Sequence, residues 1–493
     1  MSSLASLTPS TAWEPLPRPE WDEAAARHLL RRIGFSATPP ATAQALAEGP
    51  EATLRRFFRE MPAYPKPPCI AALEAERDQA PPPASLPPEE RRARARERRE
   101  RSRDALHDLI IRWLQRAAAP ERSPAEKWLL FLSDVWVASA AKVEDSALVF
   151  QHQDILRRHA LGRAPDLAKA VSRSPAMIVY LDLQQSAQGA PNENFARELL
   201  ELFTLGEGHY TEADIQAAAR AFTGYRQKSG SFRFDRRRHD DGAKTVFGRT
   251  GRFDGDDVID LVFRQPAAGT FLPGEMVRFY LSETPLPADL VAALGSQWAE
   301  NGYDLRALIL TFFRSRAFFA AEFRDNFIKS PVQFHLGLLQ DLGLGVTPLP
   351  RKLIGPLRQM GQLPFVAPNV RGWVGGRDWI NSATLAARRQ IVRGLLSPLD
   401  ERSLNADERA ALQAAAATGA GEFTFPPGRL RAWAALPPAQ AADRLVATVL
   451  PGRSDRETAA DLAQYLAEEP KHPETALRTA LAALLASPDY QLC

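Results

Sequence analysis

Cysteine is nearly absent from this sequence: two residues in 493, Cys69 in a proline-rich stretch and Cys493 at the last position. Two cysteines cannot build a disulfide framework, and no Cys/His spacing of a zinc site occurs. Free thiols fit a reducing compartment. Long apolar runs are missing too. None approaches the roughly 18 residues that a helix needs to cross a bilayer. The opening stretch MSSLASLTPSTAWEPLPRPEW has no basic n-region and no apolar h-region. No secretory signal is therefore expected, the cytoplasm is the default compartment, and no membrane association is predicted. A strong charge of one sign is also lacking. The 62 basic residues nearly cancel 59 acidic ones, which predicts no nucleic-acid partner.

What is present reads as helix almost throughout. Apolar residues make up 45% and charged residues 25%, enough to build a sizeable core around a soluble surface. Helical periodicity runs over residues 21–33, 50–59, 89–116, 124–140, 147–159, 164–171 and 176–183. It returns at 256–263, 270–281, 287–300, 305–313, 331–342 and 384–396, and alanine-rich helix dominates beyond Leu404. The exceptions are a proline-rich linker over 62–88 and one stretch of strand character. There SFRFD (231–235) is expected to pair with TVFG (245–248) across an Asp241-Gly242 turn.

The expected fold is thus mainly α, a multi-helix single body with one small β-hairpin near 231–248. Three parts are expected: an N-terminal helical arm (1–123), a core (124–395) and a C-terminal helical segment (396–493). The arginine-rich half of helix 89–116 interleaves Glu89, Glu90, Glu97, Glu100 and Asp104 with its arginines. It reads as a solvated helix laced with i,i+4 pairs rather than a nucleic-acid patch.

Residues 189–251 concentrate the chemistry. Asn192 is placed to cap a helix running to about Phe203. At 100° per residue, Asn194, Arg197, Glu198 and Glu201 share one arc of it. This is either an ordinary amphipathic face or a polar stripe in which Glu198 organises Arg197. No Glu-x-x-His pair accompanies the two carboxylates, so no metal site is expected. His209 and Tyr210 sit at the joint with a second helix that starts at Thr211. The loop RRRHDDGAKT then offers His239 as a proton-exchanging group, Asp240 as its orienter, and Lys244 with Thr245 as an anion cradle. The plainer reading is a charged exposed turn. Further on, PNVRGWVGGRDWINSATL (368–385) combines Trp373, Trp379 and Asn381 with glycines ahead of a helix. These residues offer stacking faces and a cap, or a packed core.

Six segments, HLLRRIGF (28–35), RRHALG (157–162), NENFARELLELFTLGEGHYTEADIQAAARAFTGY (192–225), HDDGAKTVFG (239–248), KSPVQF (329–334) and PNVRGWVGGRDWINSATL, together resemble a mostly bacterial family. It is catalogued as domain of unknown function 1800, and the resemblance spans nearly the whole chain. It implies a helical fold. It also implies a possible partner, since many members are encoded beside proteins resembling sulfatases and phosphatases, and many members carry export signals that this chain lacks. Many members read Trp-His-Asn-His-Phe or Trp-Ser-Asn-His-Phe where this chain reads Leu132-Ser133-Asp134-Val135-Trp136, so Val135 stands at the usual histidine.

Two function classes follow. One is an enzyme acting on a small phosphorylated, sulfated or carboxylated ligand. His239, Asp240 and Glu198 would be its catalytic groups. Asn192, Asn194, Arg197, Glu201, His209, Lys244, Thr245, Trp373, Trp379 and Asn381 would bind the ligand. No cofactor is indicated. The other is a non-catalytic binding or maturation partner of a sulfatase- or phosphatase-like protein, with the polar cluster holding the fold together.

Overall fold

A computed structural model describes residues 3–79, 85–417, 422–452 and 456–493. The proline run expected as linker falls partly at 80–84, outside the described residues. Within the rest of that expected linker a helix forms instead, at Pro68–Gln79, packed on the helices Pro88–Ala118 and Ser146–His159. Twenty-four α-helices occur among the described residues, so the fold is mainly α as expected, with helices such as Pro39–Glu48 and Pro350–Gln359 beyond the stretches the periodicity marks, and the only strands there form two small antiparallel hairpins. Among the described residues no helix is long and apolar enough to cross a membrane. One cluster of buried apolar side chains runs from Ala12 to Tyr490. The C-terminal helix Pro473–Ala486 packs on Ser382–Leu396 and on Pro427–Ala434.

The strand pairing differs from expectation. Tyr225–Lys228 pairs with Ser231–Phe234, and Lys244–Val246 pairs with Arg249–Gly251. Each hairpin closes over two residues, Ser229-Gly230 and Phe247-Gly248, all four with positive φ. That is the turn geometry whose twist matches the strands. Asp241-Gly242 is no hairpin turn. The Asp240 carboxylate instead accepts from the Gly242 N–H and fastens the loop on itself.

The helix Ser123–Val135 is central: all thirteen residues are buried, including Glu126, Lys127 and Asp134. Each ion is answered. Glu126 takes a forked pair of bonds from Arg157 (2.9 and 2.7 Å) and a third from Arg116. Both arginines also donate to the Pro62 carbonyl. Lys127 Nζ donates to the Gly34 carbonyl and the Gln333 side chain, each at 2.8 Å, and to the Arg31 carbonyl at 3.3 Å. It thereby clamps the C-terminal end of helix Glu23–Ile33, where orphan carbonyls favour a cation. Arg32 and His28 bind carbonyls of 280–281, 318 and 323 in the same manner. Much of HLLRRIGF, RRHALG and KSPVQF therefore acts by satisfying buried backbone oxygens.

Candidate functional site

The expected helix after Asn192 is short, Asn194–Glu198, and continues as a π-helical turn over Leu199–Thr204. Asn192 caps it from outside: its Oδ1 accepts the Asn194 N–H at 2.9 Å, and its Nδ2 donates to the Asp182 carbonyl. The wider turn breaks the single polar arc predicted at 100° per residue. Arg197 turns away from Glu198 and pairs with Glu212 (2.6 Å) and Glu193 (3.2 Å). Glu198 is therefore not the organiser of Arg197. It is half-buried, and desolvation followed by the neighbouring Glu201 charge raises its pKa. Glu201 faces elsewhere, accepting from Tyr210 Oη and from Arg371, both at 2.9 Å. Asn194 and His209 are exposed, with no part in this contact.

The His239 loop is closed on itself. His239 Nδ1 lies 2.9 Å from the Thr223 carbonyl, so Nδ1 carries the proton and donates. Asp240 does not orient this imidazole. Its carboxylate is held by Arg220 at 2.7 and 3.2 Å. The carboxylate nearest the His239 Nε2 is the exposed Asp241, at 3.8 Å. Lys244 is 2% exposed and spends its ammonium on the Asp240 and Gly242 carbonyls, which leaves no cradle for an anion. Thr245 pairs with Thr250 across its hairpin. These residues are brought together, but as a fastening.

A different group converges on Asp134, near the end of the buried helix. Asp134 Oδ2 accepts from Arg278 Nη2 at 3.0 Å and Oδ1 from the Trp373 main-chain N–H at 2.7 Å. Desolvation by burial pushes its carboxyl up to about 6 against the opposing pull of Arg278. The approach of the 372–373 backbone depends on Gly372. Its φ is +83°, and a Cβ there would collide with the Asp134 carboxylate.

The Asp134–Arg278 pair separates two spaces. On one side is a narrow chamber of about 30 Å³, bordered by Lys127, Gln333, Gln362, Trp373 and Trp379. It has room for about one water. Desolvation lowers the Lys127 ammonium there to about 7. The buried Trp373 Nε1–H has no partner within the described residues. On the other side is an open cleft of about 390 Å³. Its charged lining is Asp134, Glu201, Glu207, Glu275, Arg278 and Arg371. Arg278 is paired with Asp134 and Glu275, Arg371 with Glu201 and Glu207. Val135 also lines this cleft.

A family model described as "Protein of unknown function (DUF1800)" matches residues 28–492. The chain belongs to this family. No curated protein and no solved structure matches it. In this DUF1800 chain Val135 borders the open cleft beside Asp134.

Of the residues singled out from sequence, Glu201, Trp373 and Trp379 border the two spaces. Asn381 is the N-cap of helix Ser382–Leu396, in a reciprocal box with Thr384. His239, Asp240, Lys244 and Thr245 border neither space. Sequence reasoning missed Lys127, Asp134, Arg278 and Arg371. For Lys127 and Asp134 the available signal was an ionisable residue inside an apolar helix, where an unpaired charge would be prohibitive. Among the described residues no group of three or more His, Cys, Asp or Glu could hold a metal ion.

Proposed function

We propose that the DUF1800 chain is an enzyme that binds a polar, positively charged ligand in the open cleft, with Asp134 as its acid–base group. One observation carries this reading. A buried carboxylate, Asp134, borders an opening lined by four carboxylates and two arginines, and both arginines are already ion-paired. The surplus is negative, which favours a cation over the phosphorylated or sulfated ligand expected from the His239 loop. A carboxyl poised near 6 can both take and return a proton close to neutral pH.

The test is a thermal-unfolding titration with spermidine, glucosamine, phosphate and sulfate. The amines should raise the midpoint of the wild type by mass action, and Glu201→Gln should abolish that rise. The rise should shrink as pH falls through about 6, when Asp134 gains its proton. Stabilisation by phosphate or sulfate that disappears in Arg371→Gln would overturn the charge assignment. For any conversion found, Asp134→Asn should cost at least about 100-fold in kcat.

A second reading has one observation in its favour. The closed network of His239, Asp240, Lys244, Thr223 and Arg220 fits a polar cluster that fixes the fold, as in a non-catalytic partner protein.

A further inference from the structure

The helix Pro331–Leu342 separates the chamber beside Lys127 from a third space. Gln333 borders the chamber, and His335, two positions on, borders a cavity of about 690 Å³. Helices Pro350–Gln359 and Ser382–Leu396 wall this cavity, with residues 397–400 and 423–424. It shares no residue with the cleft or the chamber. Its size is that of a small-molecule site.

Three features give it a chemistry. His335 is 6% exposed, and neither ring nitrogen has a partner within the described residues. Burial drives its pKa down to about 4, so the ring is neutral at physiological pH and offers one donor and one acceptor. Both nitrogens lie beneath the wall, out of reach of solvent, so His335 shapes the wall as a neutral polar group under it. Second, Gly355 and Gly394 stand exposed on the rim from two helices, and a Cβ built on either meets nothing within 4 Å. Helix-interior glycine is about 1 kcal/mol worse than alanine, and here no close contact demands it. What the glycines leave is room. Third, the walls are apolar at Leu353, Ile391 and Leu395, while Arg351 and Lys352 stand exposed at the edge. Neither cation forms an ion pair within the described residues. The one carboxylate of the lining, Asp400, accepts a main-chain N–H from Arg402.

We propose that this cavity binds an amphiphilic monoanion, a carboxylate on an apolar chain or ring. The carboxylate meets Arg351 and Lys352, and the apolar body lies along Leu353, Ile391 and Leu395, over the buried His335 ring. This site is separate from the proposed acid–base cleft and stands or falls without it.

The experiment is calorimetric titration of the full chain with octanoate, with acetate, octanol and inorganic phosphate in parallel. Octanoate should bind with Kd below about 1 mM, and acetate and phosphate should not bind. The double variant Arg351→Ala/Lys352→Ala should weaken octanoate about tenfold and leave octanol unchanged. Gly394→Phe, placed where the Cβ has open space, should abolish binding with an unchanged unfolding midpoint. On saturation the His335 ring resonances, assigned by their loss in His335→Phe, should shift. No octanoate binding to folded protein, binding that survives Gly394→Phe, or phosphate binding tighter than octanoate would each overturn the proposal.

Discussion

The main-chain N–H of Trp373 donates to the Asp134 carboxylate at 2.7 Å, and Gly372 makes that approach possible. Two motifs far apart in sequence meet in this bond. A side chain at 372 would face both a left-handed φ and a collision with the carboxylate. Gly372→Ala should therefore lower stability by about 3 kcal/mol. Urea unfolding measures this, and a loss under about 1 kcal/mol would show that the backbone does not depend on glycine there.

Ionisation of Asp134 should shape the pH profile of stability. Burial raises its carboxyl from 3.8 to about 6. The folded state therefore keeps a proton that the unfolded chain has released. This contribution is fully present below about pH 4 and is lost as pH rises through about 6. Asp134→Asn should remove the dependence, so from about pH 4 to 7 the variant should gain about 3 kcal/mol relative to wild type. Parallel profiles for the two proteins would contradict it.

Glu126 is fully buried between Arg116 and Arg157. Glu126→Ala strands two guanidinium groups and should cost about 3–5 kcal/mol. Replacing all three, as Glu126→Leu with Arg116→Met and Arg157→Met, should recover most of that loss. If the triple variant were no more stable than Glu126→Ala, the penalty would not come from stranded charge.

Lys244 should be structural. Its ammonium meets two loop carbonyls from a buried position, and desolvation lowers its pKa. Lys244→Met should cost about 2–4 kcal/mol. His239→Ala should also lower the midpoint, yet amine stabilisation through the cleft should persist in it. Loss of that stabilisation in His239→Ala, with the fold intact by circular dichroism, would return His239 to the site.

The helices were legible because their apolar spacing is regular and their caps are conventional. Asn381, Asp254 and Thr211 each cap as their residue types predict. The strand pairing was less so. Asp241-Gly242 carries the stronger turn signal, yet Ser229-Gly230 and Phe247-Gly248 make the turns, because Asp240 is committed to Arg220 and to the Gly242 N–H. Glu201, Trp373 and Trp379, which border the two spaces, were singled out through their motifs. Glu198 and Arg197 were misassigned because neighbours in sequence do not face each other on a helix, and Arg197 meets Glu193 one turn back and Glu212 from the next helix instead. Asp134 and Lys127 were passed over because hydrophobic periodicity reports burial but not the partners that make buried charge tolerable.

The cleft has no local address in the chain. Each hairpin closes over two residues and can form from its own neighbourhood within microseconds. The cleft instead needs Asp134, Glu201, Arg278 and Arg371 at once, drawn from segments separated by the greater part of the core. Any fragment ending before 371 lacks a wall of it and the Trp373 N–H that seats Asp134. Its binding capacity should therefore appear only on completion of the fold, as a late event in synthesis and an early loss under truncation.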